Sequence, residues 1–88
     1  MKLKGEFIIR AFQDDIIAIP VGPTALEING MIMLNDVSRV IWEHLSTGCS
    51  ISELTAAVTD AFDVSPAEAE ADILEFIEKL RQAQLLEE

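Results

Sequence analysis

Side chains able to carry out covalent or metal chemistry are scarce in this chain. It contains one histidine, His44, and one cysteine, Cys49. Neither has a companion His, Cys or acidic residue at metal-ligand spacing, and neither sits in a triad-like arrangement with a serine or aspartate. A lone cysteine also excludes an internal disulfide and any cysteine-based zinc or iron–sulfur cluster. His44 lies beside an apolar helical stripe and Cys49 follows Gly48 in a turn, so both are expected to serve as packing residues. Glu68, Glu70, Asp72, Glu75 and Glu78 form the densest acidic group. They wind around a helical segment instead of bracketing a loop with calcium-site spacing, which predicts a solvated helix face. The sequence therefore predicts no catalytic residue, metal or cofactor, and leaves recognition as the chemistry to look for.

The charge balance narrows what can be recognised. Six basic residues stand against 16 acidic ones, a net charge of −10 over 88 residues. Such a chain repels a phosphate backbone at long range, which disfavours nucleic acid. Splitting after His44 gives net −2 for the first half (4 basic, 6 acidic) and −8 for the second (2 basic, 10 acidic). With half its residues hydrophobic, the chain has enough apolar surface to fold, and its length suits a single domain over residues 1–88. No apolar run approaches the length needed to span a bilayer, and the N-terminus lacks an export signal; with the unpaired cysteine this predicts a cytoplasmic protein. Lys2 and Lys4, the one basic cluster, are expected in a frayed terminus.

Hydrophobic periodicity changes near the same point, from two to about 3.6 residues. Phe7 to Phe12 and Ile17 to Val21 alternate around a Gln13-Asp14-Asp15 turn, predicting a hairpin with Pro20 at an edge, a bulge or the strand end. Asn29-Gly30 is a strong hairpin signal and places a short third strand at residues 31 to 34. Three helices follow. Asn35 caps the first, with Val37, Val40, Ile41 and Leu45 in one stripe and Gly48 as its stop. Ser50 and Glu53 form a capping box for the second, which turns Ile51, Leu54, Val58, Ala61 and Phe62 to one side. Ser65-Pro66-Ala67-Glu68 opens the third, which buries Ala69, Ile73, Phe76, Ile77 and Leu80 before Leu85-Leu86 folds back. The predicted class is α+β: a three-stranded antiparallel sheet, then three helices.

This order also suits a winged helix-turn-helix, but residues 66 to 82 carry five acids and two bases, unlike a helix that reads a major groove. An acyl carrier protein is equally disfavoured: Asp36-Val37-Ser38 is out of register with the serine motif such proteins use, and the hairpin has no place in their helical fold. Met31-Ile32-Met33-Leu34 is more informative, since all four side chains are apolar although a strand has two faces. Core packing alone can explain this; the sharper reading is that one face covers the core while the strand borders a groove, where a partner strand can add through backbone hydrogen bonds and methionines adapt to varied side chains.

Asn29-Gly30-Met31-Ile32-Met33-Leu34-Asn35, then Val40-Ile41-Trp42-Glu43, Ile51-Ser52-Glu53-Leu54, Phe62-Asp63-Val64-Ser65 and Asp72-Ile73 through Phe76 together resemble the PqqD-like family over nearly the whole chain. The resemblance implies a winged-helix-like, non-catalytic domain from pathways that modify ribosomally made peptides. Such a domain binds the leader of a precursor peptide as an antiparallel strand and presents it to a modifying enzyme, often a radical S-adenosylmethionine (SAM) protein. Carried onto this chain, the strand wall of the site is Met31, Ile32, Met33 and Leu34. Two flanks of the third helix could form the other wall: Ala67, Ala71, Leu74 and Glu78, or Asp72, Phe76, Lys79 and Ala83. The first is favoured here because Leu74 is apolar yet off the buried stripe. A DNA-binding winged helix and a structural protein–protein interaction domain are the alternatives, and no residue points to a particular precursor peptide.

Overall fold

A computed structural model describes residues 1–28 and 30–87. In chain order the elements are β1 (Lys2–Leu3), β2 (Phe7–Phe12), β3 (Asp15–Pro20), α1 (Thr24–Glu27), β4 (Ile32–Leu34), α2 (Asp36–Thr47), α3 (Ile51–Ala61), α4 (Pro66–Gln82) and β5 (Leu86–Glu87). The three-stranded antiparallel sheet has the order β2-β3-β4. Phe12 pairs with Asp15, so Gln13 and Asp14 make a two-residue turn in which Gln13 takes a left-handed φ of 57°. Pro20 ends β3 opposite Phe7, where its missing N–H interrupts nothing beyond it. The hairpin expected at Asn29-Gly30 falls partly on Asn29, outside the described residues; Gly30 has a positive φ of 98°.

Register assigns the two faces of this sheet. Ile9, Ala18 and Ile32 share one row and Ala11, Ile16 and Leu34 the next. Ala18, Ile16 and Leu34 are buried, so these rows form the inner face, which packs toward the helices. The intervening residues form the outer face: Ile8 with Ile19, then Arg10 with Ile17 and Met33, then Phe12 with Asp15. That face is largely apolar, and Phe12 and Met33 are well exposed on it.

The three long helices begin where the capping residues predict. Asn35 accepts from the Ser38 N–H at 2.8 Å while the Ser38 hydroxyl accepts from the Asn35 N–H at 2.7 Å. Ser50 and Glu53 exchange the equivalent pair of bonds at 3.1 Å each. Ser65 accepts from the Glu68 N–H at 3.2 Å with Pro66 at the first helical position. Each device satisfies N–H groups that a helix start leaves without partners. The helices bury Ile41, Trp42 and Leu45 from α2, Leu54 and Val58 from α3, and Ala69, Ile73, Ile77 and Leu80 from α4. Trp42 meets the Phe7 ring edge to face at 5.1 Å, joining β2 to α2. Ala61, expected on the buried side of α3, is exposed because the helix ends there.

Two further features of the fold depart from the sequence reading. Lys2 and Lys4 are not in a frayed end: Lys2 pairs with Glu87 and Leu3 with Leu86, the Lys4 N–H donates to the Leu85 carbonyl at 2.8 Å, and the Cys49 N–H donates to the Met1 carbonyl at 2.8 Å. Leu3 supplies the reason, since it is buried in the core together with Leu85. The single turn α1 is the second addition. Its Thr24 is buried and its hydroxyl accepts from the Glu6 N–H at 2.7 Å, pinning the link between β3 and β4 to the β1–β2 turn. Gly5 in that turn has φ 95°, and a Cβ there would lie 3.0 Å from the Thr24 side chain, so the close approach needs glycine.

Candidate functional site

β4 is an edge strand. Among the described residues it pairs only with β3, through Ile32 opposite Ala18, Met33 opposite Ile17 and Leu34 opposite Ile16. Three residues of backbone therefore keep one side free for further hydrogen bonding. A groove of about 380 Å³ borders this strand, lined by Ile32 and Met33, by Asn35, Val37, Ser38 and Ile41 at the start of α2, by Asp72, Glu75, Phe76, Lys79 and Leu80 on α4 and Ala83 at its C-cap, with Leu85 closing it. Buried Ile41, Leu80 and Leu85 make its base apolar, while Asp72, Glu75 and Lys79 stay exposed along it.

Each wall follows from a local rule. On α4, residues 72, 76, 79 and 83 recur every three or four positions and so form one flank beside the buried stripe of Ala69, Ile73, Ile77 and Leu80. Phe76, expected within that stripe, is half-buried because it stands at the stripe's border with the groove. The flank chosen from sequence is the other one: Ala67, Ala71, Leu74 and Glu78 are all exposed and line no part of this groove. Leu74 is 48% exposed. An apolar residue off the stripe was a poor guide, because the side of α4 that faces β4 depends on how the helix crosses the sheet, a tertiary property. On the strand, Leu34 is buried, Ile32 half-buried, and Met31 and Met33 are each 61% exposed; Met31 precedes the strand proper.

The reactive side chains remain apart from the groove. His44 is exposed, with Nδ1 2.9 Å from the Val40 carbonyl one turn back on α2. Cys49 is half-buried in the α2–α3 connection; burial pushes its thiol pKa up, Glu53 adds to the rise, and the amino terminus opposes it. A raised pKa lowers the thiolate fraction, the reverse of what an activated nucleophile needs. Among the described residues, no group of three or more His, Cys, Asp or Glu side chains could hold a metal ion, and no helix is long and apolar enough to cross a membrane. The acids of α4 lie on its surface, two of them in ion pairs with bases on the same helix: Glu75 with Lys79 at 3.8 Å and Glu78 with Arg81 at 2.7 Å.

An edge strand beside an apolar groove with a helical wall can accept an extended peptide. Residues 24–86, which include β4 and all of α4, match the family model described as coenzyme PQQ synthesis protein D (PqqD). The chain belongs to the PqqD family. The unmatched N-terminal stretch, residues 1–23, holds β1 to β3, so the family match spans both groove walls but not the strand on which β4 rests. The fold as a whole is similar to a solved structure, TbiB1 in complex with the TbiA(beta) leader peptide, with a TM-score of 0.73 and 22% identity, covering 99% of this chain and 95% of that one. A search of curated proteins gave no match.

Proposed function

We propose that this PqqD-family chain is a non-catalytic adaptor that binds the leader of a precursor peptide as an added antiparallel strand on β4 and presents it to a modifying enzyme, a radical SAM protein, in the cytoplasm. The observation that carries this reading is the free edge of β4 beside a groove whose far wall is α4. Strand addition would satisfy the exposed backbone groups of Ile32–Leu34, and side chains on one face of the added strand would enter the groove. Similarity to TbiB1, solved with a leader peptide, supports the class of ligand, and the family match supports the adaptor role. Ile32, Met33 and Leu34 would form the strand wall, with Met31 at its entrance and Asp72, Phe76, Lys79 and Ala83 replacing Ala67, Ala71, Leu74 and Glu78 as the helical wall.

Hydrogen exchange read by mass spectrometry tests the reading, using the leader of a short precursor encoded beside this chain's gene. Added peptide is expected to slow exchange at residues 32 to 34. Protection confined to the surroundings of Trp42 and Phe62, with residues 32 to 34 unchanged, would overturn strand addition. Duplex DNA binding that falls steeply as salt rises would instead revive the DNA-binding alternative.

A further inference from the structure

We infer that the groove selects an extended segment in which a cationic side chain lies two residues from a large apolar one, the cation meeting Asp72 and the apolar side chain meeting Phe76. This rests on the peptide-binding reading above and specifies the ligand that reading leaves open.

Three charged residues of α4 line the groove, and they are not equivalent. Glu75 has Lys79 as a partner at 3.8 Å. The Asp72 carboxylate has neither an ion pair nor a hydrogen bond among the described residues. The groove thus presents one uncommitted charge, a carboxylate, next to an apolar base, and an entering cation would gain a partner without breaking an existing pair. A carboxylate on the peptide would have to share Lys79 with Glu75 and would meet Asp72 as a like charge. The net charge of −10 points the same way at longer range.

Spacing supplies the pattern. Asp72 and Phe76 are one helical turn apart, a rise of about 6 Å. Alternate side chains of an extended chain are about 6.6 Å apart and point to the same face. A strand paired with β4 that runs along the α4 axis would bring positions i and i+2 to Asp72 and Phe76 together, which adjacent positions could not do. Phe76 is half-buried, so it offers ring surface to an incoming apolar group while remaining anchored in the groove wall. An arginine would also place a planar cation near this ring.

The test is a selection of displayed random dodecapeptides on the full chain, repeated on Asp72→Asn and on Glu70→Gln, a control at an exposed acid that does not line the groove. Circular dichroism confirms that both variants are folded. Expected are peptides enriched in Arg or Lys two positions from a large apolar residue, with the enrichment lost on Asp72→Asn and kept on Glu70→Gln. In fluorescence polarisation, replacing that arginine by citrulline, which keeps the shape without the charge, should weaken binding to the native chain about two- to five-fold, as partly exposed ion pairs do, and leave binding to Asp72→Asn unchanged. Apolar or acidic peptides that slow exchange at β4 without a preference for cations would overturn this inference and leave strand addition standing. Recovery of no peptide that protects β4 would overturn both.

Discussion

Leu74 and Phe76 are two residues apart on α4, yet one is 48% exposed on a flank away from the groove and the other forms part of the groove wall. Phe76→Ala should weaken a groove-binding peptide by about 1–2 kcal/mol, the value of partial apolar burial, and Leu74→Ala should stay within about 0.5 kcal/mol of the native chain. Fluorescence polarisation with one labelled peptide compares the two directly. Met33 combines roles, since it lines the groove and also lies on the outer sheet face. Cys49 gives a prediction of a different kind. Because burial and Glu53 raise its pKa, thiolate is scarcer below that pKa than in a free thiol, so at pH 8 iodoacetamide should modify the native chain more slowly than the urea-unfolded chain. Mass spectrometry of timed samples measures both rates.

At the scale of elements, the helix starts were legible because each rests on local chemistry: an Asn or Ser side chain accepts from the N–H three residues on, answered by a return bond at α2 and α3 and accompanied by Pro66 at α4. Ser50→Ala should therefore cost about 1 kcal/mol, seen as a lower urea midpoint with an unchanged slope. Asn35→Ala should cost a similar amount and also weaken peptide binding, since Asn35 lies on the groove as well as capping α2. Other elements left no such trace. β1 and β5 are two-residue strands from opposite ends of the chain, and no alternation can register in so short a segment. Thr24 caps nothing; it is held by a contact with Glu6 that no local pattern announces. The apolar character of Met31-Ile32-Met33-Leu34 on both faces was visible, and the structure places Ile32 and Met33 of that run on the groove. Which flank of α4 opposes it was not, because two flanks border the same stripe and packing alone chooses between them.

At the scale of the molecule, Leu85 ties the site to the fold: it is buried, it closes the groove, and its carbonyl holds the Lys4 N–H. Leu85→Ala should destabilise the chain by about 2–5 kcal/mol by leaving a cavity, measurable by urea unfolding, and should enlarge the groove. The open edge of β4 has a further consequence, for colloidal behaviour. A strand edge flanked by an outer face bearing Ile8, Ile17, Ile19, Met33 and Phe12 is a template on which further copies of the chain could stack. At neutral pH the net charge of −10 keeps copies apart. As acidification toward the sequence pI of about 4.3 removes the net charge, that repulsion fades while the sticky edge persists. Static light scattering should then rise, and a strand-adding peptide should delay the rise by occupying the edge first, so that such a ligand would also protect the chain against self-assembly.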